Sequence, residues 1–134
     1  MLSSAPKVLI IDDSTTACLY MAHALEKAGF QVITAADGRE GMMKLLRDQP
    51  HCLILDVLLP GTNGFAFCRQ LRSQDALRGL PIIMVSTKTT PADQAWGLRQ
   101  GANRYLPKPF SEQTLVSLVE EVLPGGSFVS PRGF

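Results

Sequence analysis

Short apolar runs alternate strictly with longer amphipathic segments along this chain, and that alternation constrains its fold more than any other feature. "KVLIID" (7–12) is rich in β-branched residues and suits a strand buried on both faces. Residues 15–28 follow with Ala17, Met21, Ala24, Leu25 and Ala28 at helical spacing, and Gly29 closes the segment. "QVITA" (31–35) reads as a second strand. Asp37 and Glu40 then form a capping-box pattern, and the helix continues to about Asp48. "CLILD" (52–56) is the third strand. A turn made by Pro60, Gly61, Asn63 and Gly64 leads to a helix from about Phe65 to Ser73. "PIIMVS" (81–86) is the fourth strand. Thr90, Pro91 and Asp93 supply an N-cap, a proline at the first helical position and an acid in the first turn. That helix is expected to run to Gln100, with Ala95, Leu98 and Ala102 inward and Trp96 half-buried beside them. "RYLP" (104–107) is the fifth strand, and Ser111 caps a last helix striped with Leu115, Leu118, Val119 and Val122. Five strands and five helices in alternation predict an α/β fold: a doubly wound parallel sheet with helices on both faces.

Such sheets place their functional crevice at the carboxyl ends of the strands. The first strand ends in Asp12 and Asp13 and the third in Asp56. Three carboxylates about 5 Å apart repel by roughly 3 kcal/mol per pair at an effective dielectric of about 20. A cation or a shared proton is needed to keep them together. With oxygen ligands and room for several waters, Mg²⁺ fits best. The plainer readings are that Asp56 caps the turn after it and that Asp12 and Asp13 cap the first helix. The fourth strand ends at Ser86, followed by Thr87, and the fifth leads into Lys108, Pro109 and Phe110. A hydroxyl and a lysine opposite a metal-bound carboxylate form a cradle for a transferred phosphoryl group, with Asp56 as the attacking oxygen. Taken singly, Ser86 also reads as a strand-end cap and Lys108 as a surface lysine.

The remaining features exclude other classes. The chain has 134 residues and a formal net charge of +1, so no global field draws it to nucleic acid or anionic membrane. No apolar run approaches the length of a membrane span, and "MLSSAPK" contains no signal-peptide core. Cys18, Cys52 and Cys68 form no CxxC pair and read as reduced cysteines of a cytoplasmic protein. His23 and His51 lack partners at ligand spacing. Residues 1–123 form the expected domain, and 124–134 are a short tail rich in Gly, Ser and Pro.

The motifs "IIDDS" (10–14), "LDVLLPGTNG" (55–64), "VSTK" (85–88) and "YLPKPF" (105–110) resemble those of the receiver domains of two-component response regulators, of the chemotaxis type. The resemblance covers roughly residues 7–123. It implies a flavodoxin-like (βα)5 sheet with strand order 2-1-3-4-5. It makes Asp56 the phosphoacceptor and assigns Mg²⁺ to Asp12, Asp13, Asp56 and the backbone carbonyl of Leu58. It gives the phosphoryl oxygens to Ser86 and Lys108, makes Ser86 and Tyr105 the switch, and implies a cis bond at Lys108-Pro109. The implied partners are a sensor histidine kinase and a downstream protein docking on the face of the fourth helix, fifth strand and fifth helix. With no output domain after it, the chain is expected to act by docking, as a monomer or weak dimer. "TKTTPADQAWGLRQGANRYLPKP" (87–109) resembles in particular stand-alone receivers of type IV pilus, or twitching-motility, chemotaxis-like systems. Two departures stand out. Leu58 is apolar where side chains overhang the phosphoryl group, and Thr87 is larger than the Ala or Gly common there. Both are expected to hinder the approach of water to Asp56.

Three rivals are weaker. Phosphatases that use a strand-end aspartate need a second acid two positions on, where this chain has Leu58. Receiver-like binding modules that work without phosphorylation lack an acid or the lysine, and this chain keeps them all. Flavodoxin-like cofactor binding needs an acid-free phosphate loop, whereas "DDSTT" (12–16) is acidic.

Overall fold

The five apolar runs become five parallel strands: β1 (Lys7–Ile11), β2 (Gln31–Ala35), β3 (Cys52–Asp56), β4 (Ile82–Ser86) and β5 (Arg104–Pro107). The helices between and after them are α1 (Thr15–Lys27), α2 (Gly38–Asp48), α3 (Gly64–Arg72), α4 (Pro91–Arg99) and α5 (Glu112–Val122). The computed structural model describes residues 5–124, so the tail read from the sequence lies, beyond Pro124, outside the described residues. The sheet runs β2-β1-β3-β4-β5, the expected 2-1-3-4-5 order. Two features were not expected: a small hairpin pairing Leu58–Leu59 with Thr62–Asn63, and one 3₁₀ turn at Asp75–Leu77.

Strand side chains alternate between the two faces, and each face has its own core. Ile10, Ile54, Ile83 and Val85 pack with Met21 and Leu25 of α1 and Leu115 and Val119 of α5. Leu9, Ile11, Leu53, Leu55 and Met84 pack on the other face with Leu45 of α2 and Phe67 and Leu71 of α3. Each fully buried leucine or isoleucine contributes about 1.5–3 kcal/mol. Side-chain caps start every helix: Ser14, Asp37, Asn63, Thr90 and Ser111 each accept a first-turn N–H, and Thr90 with Asp93 completes a capping box.

The expected inward stripe of α4 is corrected by the structure at Ala95 and Leu98, while Ala102 is buried as expected. Ala95, Leu98 and Trp96 are exposed, and the buried residues of that segment are Gly97, Gln100 and Ala102. Alanines and leucine occur on both sides of this short helix, so apolar periodicity does not identify its buried face. It lies against β5 through Gly97, where an added Cβ would come 2.6 Å from the Tyr105 ring.

Candidate functional site

Register brings the site together. Ile11 lies opposite Leu55, so Asp12 emerges beside Asp56. Asp56 lies opposite Val85, and Ser86 lies opposite Pro107. Three hydrogen bonds extend the ladder past the strand ends: Asp12 N–H to the Ala35 carbonyl at 3.0 Å, Val57 N–H to Val85 at 3.2 Å, and Lys108 N–H to Ser86 at 2.8 Å. The expected site residues therefore share one edge. Gly64 closes the turn behind Asp56, where a Cβ would sit 2.6 Å from the Asp56 carbonyl oxygen. Only glycine allows the chain to return that tightly.

One carboxylate oxygen from each of Asp12, Asp13 and Asp56 lies within 4.8 Å of the others. Asp12 and Asp56 are buried and Asp13 is exposed. The Lys108 ammonium is 2.9 Å from Asp12 Oδ2 and 3.5 Å from Asp56 Oδ2. The chain thus supplies a cation of its own to the acids, which spacing along the sequence did not reveal. The two oxygens facing away from Lys108 accept backbone N–H groups: Asp12 Oδ1 from Ser14 at 2.9 Å and Asp56 Oδ1 from Leu58 at 3.1 Å. Asp56 therefore caps its turn with one oxygen and faces the acid cluster with the other, so the two readings of that residue are not exclusive. Ser14, rather than Asp12 or Asp13, caps α1.

Burial pushes the Asp56 carboxyl up from 3.8 to about 6. The Leu58 N–H and Lys108 oppose that rise, and the Asp12 charge adds to it. Burial works to lower the Lys108 pKa, but the bond to Asp12 and the two negative charges outweigh it and hold the ammonium above its usual value. Three converging carboxylates, one open to solvent, are hard oxygen donors that leave room for water, and this donor set fits Mg²⁺. Leu58 and Pro60, which follow Asp56 in the chain, and Thr87, which follows Ser86, are exposed.

Ser86 is fully buried. Its Oγ accepts the Lys88 N–H at 3.0 Å, while the Lys88 carbonyl accepts the Tyr105 hydroxyl at 2.6 Å. One peptide-linked residue thus bridges the two expected switch residues, a role that the sequence motif did not signal. Lys108-Pro109 is cis. The cysteines are free, and burial pushes the Cys18 thiol up to about 11, with the Asp12 charge adding. His51 stands at the opposite edge, where its Nδ1 accepts the Lys7 N–H.

A parallel sheet in this order, with acids and a lysine at its carboxyl edge, defines a CheY-like domain of flavodoxin topology. The family model described as the response regulator receiver domain matches residues 8–120, and the chain belongs to that family. It is 40% identical over 119 residues to Protein PilH of Pseudomonas aeruginosa, covering 89% of this chain and 98% of that one. It is 35% identical to the alkaline phosphatase synthesis transcriptional regulatory protein PhoP of Bacillus subtilis, covering 93% of this chain but only 51% of that longer protein. Among solved structures, the chemotaxis response regulator CheY4 of Vibrio cholerae superposes with a TM-score of 0.83 at 38% identity, covering 89% of this chain and 99% of that one. Receiver domains of this family are signalling proteins rather than conventional enzymes. Among the described residues no helix is long and apolar enough to cross a membrane.

Proposed function

We propose that this chain is a cytoplasmic response regulator that accepts a phosphoryl group on Asp56 from a sensor histidine kinase and signals by docking to a protein partner. The observation that carries this reading is the Lys108 ammonium poised between Asp12 and Asp56 at the mouth of a three-acid cluster. An Asp56 carboxylate oxygen attacks the phosphorus of the donor's phosphohistidine in line. The new P–O bond forms as the P–N bond breaks, and the leaving imidazole nitrogen keeps the electron pair and takes a proton from solvent. Lys108 moves from its carboxylate contacts onto one phosphoryl oxygen, and the Ser86 hydroxyl donates to another. Asp12, Asp13, Asp56 and the Leu58 backbone carbonyl would hold Mg²⁺, whose charge offsets that gathered on the phosphoryl oxygens. Hydrolysis of the acyl phosphate resets the protein, so its only catalysis is of its own phosphorylation and dephosphorylation.

The proposed docking surface is the α4-β5-α5 face, and the chain is proposed to act as a monomer or weak dimer. The likeness to a chemotaxis protein and the motif over 87–109 support a place in chemotaxis-like control of motility. Incubation with acetyl phosphate and Mg²⁺, read by intact-protein mass spectrometry, tests the assignment. One added phosphoryl group is expected for the wild type and none for Asp56→Asn. Equal labelling of the two proteins would overturn it.

A further inference from the structure

Gly97 stands in the interior of α4, where glycine costs about 0.5–1 kcal/mol of helix stability relative to alanine. Nothing in its backbone requires glycine, since its φ does not fall in the left-handed region that favours that residue. Its surroundings explain it instead. A Cβ at Gly97 would lie 2.6 Å from Tyr105 Cδ2, 2.9 Å from Tyr105 Cε2 and 2.9 Å from Met84 Sδ. Met84 is fully buried in β4 and has little room to retreat, so the ring would have to leave. The missing side chain is therefore a notch, and the Tyr105 ring fills it. The far end of that ring is held as well, by the 2.6 Å hydrogen bond from its hydroxyl to the Lys88 carbonyl.

We infer that Gly97 is a positioning residue that seats the Tyr105 ring against α4 in the unphosphorylated protein, so that the α4-β5 surface already has its docking shape before Asp56 is modified. The inference rests on the proposed function for the meaning of that surface, and it deepens that reading by specifying how the surface is regulated. Trp96 and Leu98, which flank the notch, are exposed on that surface. Their setting depends on whether the ring is in the notch or outside it. With the ring seated by shape, phosphorylation acts on a switch that already lies largely to one side, and a partner able to read that surface engages the unmodified chain too. A larger residue at 97 would restore dependence on the phosphoryl group.

The test is NMR on the full chain with labelled tyrosine, without and with beryllofluoride and Mg²⁺. Tyr20 is the only other tyrosine and serves as an internal reference. Wild type without beryllofluoride should show contacts from the Tyr105 ring to the Gly97 α protons and to the Met84 methyl. Gly97→Ala should lose the Met84 contact, shift the Lys88 amide toward its position in Tyr105→Ala, and leave the Tyr20 signals unmoved. Its melting temperature should fall modestly, because the added Cβ crowds the buried Met84 even as alanine favours the helix, and an unchanged far-UV circular dichroism spectrum with a cooperative transition separates loss of seating from loss of fold. Ring contacts that appear in the wild type only after beryllofluoride is added would overturn the inference. So would a Gly97→Ala protein in which the Tyr105–Met84 contact persists. Amide shifts at Asp56 and Ser86 on adding beryllofluoride report separately on the phosphoacceptor assignment, so the two readings fail independently.

Discussion

Asp56 carries opposing demands. It is buried beside Asp12, yet the proposed phosphoryl transfer requires its carboxylate to be ionised. Its folded-state pKa of about 6 exceeds the unfolded value of 3.8, so between those values the folded chain binds more protons than the unfolded one. Without divalent ions, stability therefore falls as pH rises from about 4 to about 6, and it stays reduced above that. Asn has nearly the same shape and no charge to bury. Asp56→Asn in the presence of a chelator should raise the melting temperature at about pH 7.5, corresponding to about 2 kcal/mol. The gain should shrink as the pH is lowered and be nearly gone at about pH 3, where the wild-type carboxyl is mostly protonated in both states. Thermal unfolding at the two pH values checks this, and a gain that does not change with pH would assign the effect to packing instead of charge. Lys108 takes part in the same balance, since its contacts with Asp12 and Asp56 partly neutralise the site while no phosphoryl group is present.

At the scale of elements, the end of α3 holds the sheet's second layer in place through Arg72. Its Nε and Nη2 donate to the Gly101 carbonyl at 3.0 and 2.7 Å, and Nη1 donates to the Leu77 and Arg78 carbonyls at 3.1 and 3.0 Å. Nη2 also reaches Asn103 Oδ1, which in turn accepts the Ile82 N–H at the start of β4. One guanidinium thus ties α3 to the 3₁₀ turn, to the end of α4 and to the entry of β4. Its planar fork of five donors suits that task, and lysine could not replace it. Arg72→Met keeps most of the stem but leaves several carbonyls short of a donor, which should cost about 2 kcal/mol. A lower urea midpoint with an unchanged slope is the expected result. An unchanged midpoint would mean that water satisfies those carbonyls equally well. Phosphodonor labelling of Asp56 should survive the change, because no Arg72 contact reaches the acid cluster.

Over the whole molecule, the carboxyl edge gathers negative charge that the folded state must offset. A cation that binds only the folded state raises stability by mass action. Mg²⁺ should therefore raise the melting temperature of the wild type, and a chelator should reverse the increase. Asp13→Ala should remove the response, because Asp13 is the exposed member of the cluster and contributes little to the core. Equal Mg²⁺ responses in wild type and variant would place the ion elsewhere.

The strands, the order of elements and the residues at the strand ends were legible in the chain because they follow from short-range periodicity. A run such as "CLILD" has one solution in a sheet covered on both faces, and parallel strands bring their carboxyl ends to one edge. Asp12, Asp13, Asp56, Ser86 and Lys108 could be placed together for that reason, before any coordinates. The setting of α4 was not legible. Apolar side chains lie on both sides of that short helix, and its contact with β5 depends on Gly97, a side chain that is not there. Nor did the sequence indicate that Lys108 bridges two acids or that Lys88 links Ser86 to Tyr105. Those contacts arise between loops whose relative positions are set only when the sheet has closed and both cores have packed. The chain by itself determined the sheet and the chemistry at its edge. Tertiary packing alone decided how a carboxylate, a hydroxyl and a tyrosine ring far apart in sequence came within reach of one another.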